Sequence, residues 1–170
     1  RCDFIKEILP ILMKYYNEIS ESKEIISLEI DSQLAGNNFY EILQKSLIKD
    51  RKSNYTQCGV HKDDLIFKMN NHLIKKIGSQ GQQKTFLISL KLAQFEFMKN
   101  KMGIKPILLL DDIFDKLDDK RVMKLIHMVD NKILGQVFIT DTHKERVEEI
   151  FNSSNIKHSI FVIDNGAIGV

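Results

Sequence analysis

The strongest constraint on the fold lies at residues 106–112, Pro-Ile-Leu-Leu-Leu-Asp-Asp, where an unbroken apolar run ends in two carboxylates. An apolar run without alternation is the mark of a strand buried on both faces, as parallel strands covered by helices are. Beyond it, residues 119–133 carry a helical pattern that Asp118 or Asp119 can cap and that closes before Gly135. Residues 136–140, Gln-Val-Phe-Ile-Thr, read as a second buried strand, residues 144–151 as a helix, and residues 158–170 as a hairpin turning at Asn165-Gly166. Strand and helix alternating in this way call for an α/β layer.

The region before it is mixed α+β. Phe4, Ile8, Leu12, Tyr15 and Ile19 recur at helical spacing, with Pro10 expected to kink that helix or mark its start. Ile26, Leu28 and Ile30 then alternate as in a strand, and Phe39, Ile42, Leu43 and Leu47 return to helical spacing. Residues 55–60, 64–69 and 72–77 read as short strands, the last two joined by a turn at Asn70-Asn71, because Asn tolerates positive φ. A long helix from Gly81 to about Lys101 follows, with Phe86, Leu90, Ala93 and Phe97 on one stripe. The expected organisation is a signature-bearing α+β lobe over residues 1–78, a motif and its helix over 79–105, and an α/β part over 106–170.

Asp111 and Asp112 stand at the carboxyl end of a buried strand, where open α/β sheets place their ligands. In P-loop ATPases such a strand is the Walker B element: its first carboxylate serves Mg²⁺ and a second can orient or deprotonate the attacking water. The bare pair is equally compatible with a cap on the following turn, and its surroundings decide. Residues 115–118, Asp-Lys-Leu-Asp, occupy the place of the D-loop of ATP-binding-cassette ATPases. About thirty residues on, the second buried strand ends in Thr140-Asp141-Thr142-His143, where those ATPases carry a switch residue, often His, that senses the γ-phosphate.

Residues 75–93 hold a near miss of a P-loop: Gly78, four residues, then Gln83-Lys84-Thr85. A working P-loop needs glycine just before its Lys so that the backbone can curl round the phosphates. Here that place is Gln83, and the preceding strand carries Lys75 and Lys76 where a central strand would be apolar. Read from Ser79, Ser-Gln-Gly-Gln-Gln resembles instead the Ser-Gly-Gly-Gln signature of ATP-binding-cassette ATPases. Ser79 can donate a hydroxyl, Gly81 admits close backbone approach, and the helix N-terminus offers free N–H groups to an anion. An ordinary N-cap accounts for Ser79 equally well when the motif stands alone. Signature, Walker B, D-loop and switch in that order are what favour the ATPase reading, and Lys84-Thr85 is then an accident of helix sequence.

Taken together, Gly-Val-His-Lys-Asp-Asp-Leu-Ile-Phe (59–67), residues 79–94, residues 106–121, Gly-Gln-Val-Phe-Ile-Thr-Asp-Thr (135–142) and Phe-Val-Ile-Asp-Asn-Gly-Ala-Ile (161–168) resemble the C-terminal half of the RecF family, bacterial recombination and repair ATPases of the ATP-binding-cassette class related to SMC heads. The likeness covers residues 56–170, and residues 1–55 agree in pattern. Val60 stands where the family favours Pro, Lys62 and Lys84 where it favours Arg, and Phe-Asp-Lys-Leu-Asp where Ser-Glu-Leu-Asp is usual. Lys keeps the charge of Arg without its bidentate geometry.

The resemblance implies an intact protein that binds ATP and Mg²⁺ and forms a head-to-tail homodimer in which one subunit's signature closes the other's nucleotide site. It also implies binding to single-stranded DNA and single-strand/double-strand junctions, action with RecR and RecO in replication, recombinational repair and the SOS response, and slow ATP turnover in the cytoplasm. Ser79, Gln80, Gly81 and Gln82 would contact ATP in trans, Asp111 would serve Mg²⁺, and Asp112 the catalytic water. Asp115 and Asp118 would form the D-loop, and Thr142 and His143 the switch. His61, Asp63 and Asp64, which imitate a metal site, fall in the signature-bearing lobe and fit a hydrogen-bonding role better.

No G-x-x-x-x-G-K-[ST] occurs in the 170 residues, and the chain opens at Arg1, so a Walker A half is expected upstream. With 43% hydrophobic residues the chain can bury a core. Twenty-five Lys and Arg against 23 Asp and Glu leave a formal charge of +2, so DNA contact has to be local. The candidate patch is Lys45, Lys49, Arg51 and Lys52, against the plain alternative of a solvated basic surface with little aromatic interleaving. Two cysteines are too few for a disulfide framework and fit a reducing cytosol, and no apolar run is long enough for a membrane span. The rival readings are the head of another SMC-like or overcoming-lysogenization-type ATPase, and a non-catalytic interaction scaffold on the same fold.

Overall fold

The computed structural model describes residues 1–21, 24–130, 134–154 and 156–169, which form two compact units. The first contains residues 1–9 and 24–77, the second residues 10–23 and 78–170. Helix α1 (Cys2–Ser20) runs through Pro10 as one helix, so Pro10 does not mark its start, and it contributes to both units. Its Ile8, Leu12, Tyr16 and Ile19 are almost fully buried, four positions that share one helical face.

In the first unit, β1 (Ile26–Asp31), β2 (Asp64–Met69) and β3 (His72–Leu73) form an antiparallel sheet in the order β1-β2-β3. The register sets Ile26 opposite Met69 and Asp31 opposite Asp64. Asn70 and Asn71 both take positive φ, 48° and 66°, as the tight turn between β2 and β3 requires. Ile26 and Leu28 are buried, as the alternation demands, together with Met69. Two strand expectations fail here. Residues 55–60 lead into a single turn of 3₁₀ helix at Val60–Lys62, after Gly59 takes a φ of 133° that directs the chain away from extended pairing. Beyond Leu73 the chain coils into a short helix α3 (Ile74–Ile77), which buries Ile74 and leaves Lys75 and Lys76 in water.

Helix α2 (Phe39–Ser53) begins where Asn38 accepts a hydrogen bond from Tyr40 N at 3.0 Å and ends at Asn54 in the left-handed region. Its apolar stripe is less buried than its spacing suggests, with Phe39 and Leu47 each 48% exposed.

The second unit is organised round α4 (Gln80–Met102). The helix starts in a reciprocal cap: Ser79 Oγ accepts from Gln82 N at 3.2 Å, and Gln82 Oε1 accepts from Ser79 N at 2.7 Å. It ends at Gly103, whose φ of +70° lets its N–H reach back to Lys99 O. Phe86, Ile88, Leu92, Ala93 and Phe95 are buried round more than one face of α4, so the single stripe expected from sequence understates its coverage. Tyr15 of α1 donates to Glu96 at 2.5 Å, and Lys14 joins the same carboxylate at 3.3 Å.

Strands β4 (Leu108–Leu110) and β5 (Val137–Ile139) pair in parallel, with α5 (Asp119–Asp130) connecting them and α6 (Lys144–Asn152) following β5. Leu108 and Leu110 are buried, but Leu109 is 64% and Phe138 50% exposed. The apolar run is therefore covered on one face within this chain, a correction to the two-faced burial expected. The predicted end of α5 near Ile133 lies outside the described residues. Strands β6 (Val162–Asp164) and β7 (Ala167–Gly169) form the closing hairpin, turning through Asn165 and Gly166 at φ 47° and 79°.

Candidate functional site at the ends of the parallel strands

The parallel ladder carries past the two strands into the acidic turn. Thr140 N donates to Leu110 O at 3.0 Å and Asp112 N donates to Thr140 O at 3.1 Å, so the chain is still paired where the carboxylates emerge. Thr140 Oγ1 lies 3.1 Å from Asp112 N, and its hydroxyl donates to Asp111 Oδ1. One threonine therefore fixes both aspartates, through the backbone of one and the side chain of the other. Sequence reasoning passed over Thr140 as the last residue of a strand, and only the parallel register reveals its part.

Asp112 adopts φ +48°, an uncommon left-handed conformation that Asp tolerates better than most residues. It turns the chain sharply, so that Ile113 and Phe114 are buried while both carboxylate-bearing residues face water. Helix α4 reaches this turn directly: Lys84 Nζ donates to Asp112 O at 2.6 Å. Lys84, an accident of helix sequence on the linear reading, is a tie between α4 and the end of β4.

Gly81 has a structural reason to lack a side chain. A Cβ there would lie 2.8 Å from Arg121 Nη1 and 3.2 Å from Lys116 O, so the glycine lets the first turn of α4 close on the loop after β4. Within that loop, Lys116 also takes positive φ, 62°. Asp118 caps α5 by accepting from Arg121 N at 2.9 Å, while Asp115 is exposed beside Lys116. Gln80 and Ser79 are exposed at the open N-terminus of α4, with Gln82 drawn into the cap.

At the end of β5, Asp141 Oδ1 accepts from His143 N at 2.8 Å and lies 3.4 Å from His143 Nδ1. The Asp141 side chain is 2% exposed, whereas that of His143 is 77% exposed, so a buried carboxylate presents the imidazole to solvent. Thr142 Oγ1 stands 3.1 Å from the same ring nitrogen. The structure thus collects Asp111, Asp112, Thr142 and His143 on the carboxyl ends of two paired strands, with Thr140 and Asp141 as supports that sequence spacing did not mark.

The donor set suits Mg²⁺. Asp111 keeps a carboxylate oxygen beyond the one that accepts from Thr140, and Asp112 is exposed next to it. Among the described residues no group of three or more His, Cys, Asp or Glu forms a metal cage. Mg²⁺ held by one or two carboxylates, with phosphate oxygens and water in its other positions, does not require one.

The basic candidates lie in the first unit. At about 100° per residue, Lys45, Lys49 and Lys52 fall within roughly 60° of one another on α2, and Arg51 lies roughly 100–160° from them, on another face. All four are exposed. Asp50, between them, is engaged by Ser46 Oγ at 2.9 Å and by Gln57 N at 3.0 Å. His61 shares a hydrogen bond with Thr56 O, while Asp63 pairs with Arg1 at 2.7 Å.

Mixed α/β layering, a long capped helix and an acidic strand end, without a P-loop sequence, make up a fold that resembles part of solved RecF ATPase structures. No family model matches the chain. It is, however, 50% identical over 161 residues to the DNA replication and repair protein RecF of Flavobacterium johnsoniae, covering 95% of this chain and 45% of that protein. With RecF of Azobacteroides pseudotrichonymphae it shares 46% identity over 168 residues, covering 99% and 46%. The solved structure of the recombination mediator protein RecF-ATPrS in the RecFOR pathway superposes with a TM-score of 0.71 at 23% identity, over 98% of this chain and 44% of that one. The RecF-ATP structure gives 0.62 at 26% identity, over 84% and 40%. The chain therefore resembles the C-terminal half of RecF, and spans about half the length of the curated relatives it matches. Among the described residues no helix is long and apolar enough to cross a membrane.

Proposed function

We propose that this chain is the signature-bearing part of a RecF-type, ATP-dependent DNA-binding protein acting in DNA replication, recombinational repair and the SOS response. The observation that carries the reading is the Thr140 clamp on Asp111 and Asp112 at the ends of β4 and β5, tied to the signature helix through Lys84. A clamp of this kind holds the Asp111 carboxylate and the Asp112 backbone in place where two like charges stand side by side. Asp111 would hold Mg²⁺, which when bound neutralises developing charge on the ATP phosphates. Asp112 orients the attacking water and accepts its proton. His143, held outward by Asp141, supplies the γ-phosphate contact, with Thr142 beside it.

Ser79, Gln80, Gly81 and Gln82 act on the other nucleotide site of a head-to-tail homodimer. Their support is the exposed start of α4, where the dipole favours an anion. The P-loop for either site has to come from sequence outside these 170 residues, since none lies within them. Asp115 and Asp118 form the D-loop between the sites. Lys45, Lys49, Arg51 and Lys52 contact DNA phosphates at single-strand/double-strand junctions, and RecR and RecO are the expected partners, all in the cytoplasm.

The trans arrangement is tested by mixing two inactive full-length proteins, Ser79→Arg and Asp112→Asn. In a heterodimer one site carries both lesions and the other neither, so random mixing restores roughly a quarter of the wild-type ATPase rate. No recovery, with heterodimers demonstrated, removes the trans role of the signature.

A further inference from the structure

Arg146 has no place in the site described so far, yet its hydrogen bonds converge on one loop. Nη1 donates to Phe114 O at 3.0 Å, and Nη2 donates to Leu117 O at 3.3 Å and to Asp119 Oδ1 at 3.3 Å. Phe114 and Leu117 are buried, so the loop is anchored by its side chains on one side and by a guanidinium on its main chain at the other. A planar fork can serve two carbonyls and a carboxylate at once, which a lysine ammonium does with far less geometric definition.

The location of Arg146 gives this contact its meaning. It lies in the first turn of α6, three residues after His143, whose carbonyl accepts from Val147 N at 3.2 Å. One helical turn is rigid over that distance, so a displacement of His143 moves the guanidinium with it. The two carbonyls it holds belong to the loop that lies within 3.2 Å of a Cβ position on Gly81, at the start of the signature helix. A continuous physical path therefore runs from the end of β5, through α6, to the loop and α4. None of Arg146's hydrogen bonds goes to Asp111 or Asp112.

We propose that Arg146 is a positioning residue that couples the switch segment 140–143 to the loop 113–119, so that occupancy of a subunit's own ATP site sets the form of the loop it offers its partner. The inference rests on the switch and D-loop assignments made above. Its loss uncouples the loop and leaves nucleotide binding intact.

Hydrogen exchange on the full-length protein, with and without Mg-ATP, tests this in wild type, Arg146→Ala and Arg146→Lys. In wild type, ATP slows exchange in both 140–146 and 113–119. In Arg146→Ala the first segment still responds, while the loop exchanges about fivefold faster or more and no longer responds to ATP. Arg146→Lys lies between, and decides the matter if the alanine variant does not fold. An Arg146→Ala or Arg146→Lys loop with the full wild-type response overturns the coupling while leaving the ATPase reading in place. Loss of the response in both segments together with ATP affinity also overturns it, because Arg146 then serves binding or folding. Wild-type protein that binds ATP without any change in 140–146 removes the switch assignment, and the coupling with it.

Discussion

Replacing Thr140 by Val removes one hydroxyl and tests the site where it is most concentrated. That hydroxyl donates to Asp111 and lies 3.1 Å from Asp112 N, so its loss deprives a carboxylate of a donor and an amide of one of two acceptors. A hydrogen bond to an ionised group contributes about 1.5–3 kcal/mol when screened from water. Thr140 and Asp111 are both exposed, so about 1 kcal/mol of stability is expected to go, read as a lower urea midpoint at unchanged m-value. The functional loss is larger in proportion. A supporting residue that orients a metal-binding carboxylate typically changes metal affinity by about 10–100-fold, so Mg²⁺-dependent ATP binding by the full-length protein should weaken about tenfold. Thr140→Ser keeps the hydroxyl and should recover most of both effects. The reasoning is refuted if Thr140→Val leaves the Mg²⁺ dependence unchanged, or if Thr140→Ser loses as much as Val.

Ser79→Asp separates capping from ligand contact: Asp caps as well as Ser, so thermal stability should hold, whereas added negative charge at the polyphosphate position should abolish ATP turnover. Full turnover in Ser79→Asp contradicts the ligand role. Tyr15→Phe should cost about 1.5–3 kcal/mol in equilibrium unfolding, because it removes the hydroxyl that Glu96 accepts from at 2.5 Å. Burial first, and then the Glu96 carboxylate, raise the Tyr15 phenol above its ordinary value. Its contribution is therefore fully present below about pH 10 and lost as pH rises through the higher folded pKa, and wild type should lose its advantage over Tyr15→Phe only in that alkaline range. Reversing Lys49 and Arg51 to Glu in the full-length protein should weaken DNA binding and lower the salt slope by about 1–2. An unchanged slope excludes α2 from the DNA contact.

Local chemistry was readable in the sequence where it acts locally. Ser79 with Gln82 three residues on is a cap that needs nothing from the rest of the chain, and Asn165-Gly166 and Asn70-Asn71 set their turns through their own tolerance of positive φ. Apolar spacing placed the longer helices and both parallel strands. Residues 74–77 failed because a four-residue segment gains more by burying Ile74 in a helical turn than by extending a two-residue strand. Leu109 failed for another reason: an apolar run reports what a strand is made to contact, and this chain covers only one of its faces. Thr140, Asp141, Lys84 and Arg146 were missed because three of the four act on residues 27 to 32 positions away, and no spacing rule connects a threonine at one strand end to a carboxylate at another.

The left-handed backbone of Asp112 bears on how its proposed catalytic role should be tested. Alanine at this position removes the carboxylate and also places a β-carbon in a conformation that costs roughly 1–2 kcal/mol, so its phenotype mixes lost chemistry with a displaced turn. Asparagine accepts the same backbone and keeps the shape of the side chain, which makes it the substitution that reports on charge alone. Glycine does the reverse, relaxing the turn while deleting the side chain altogether. A difference in activity between the asparagine and glycine variants then combines the side chain's shape with the freedom of the turn, once the charge is gone from both.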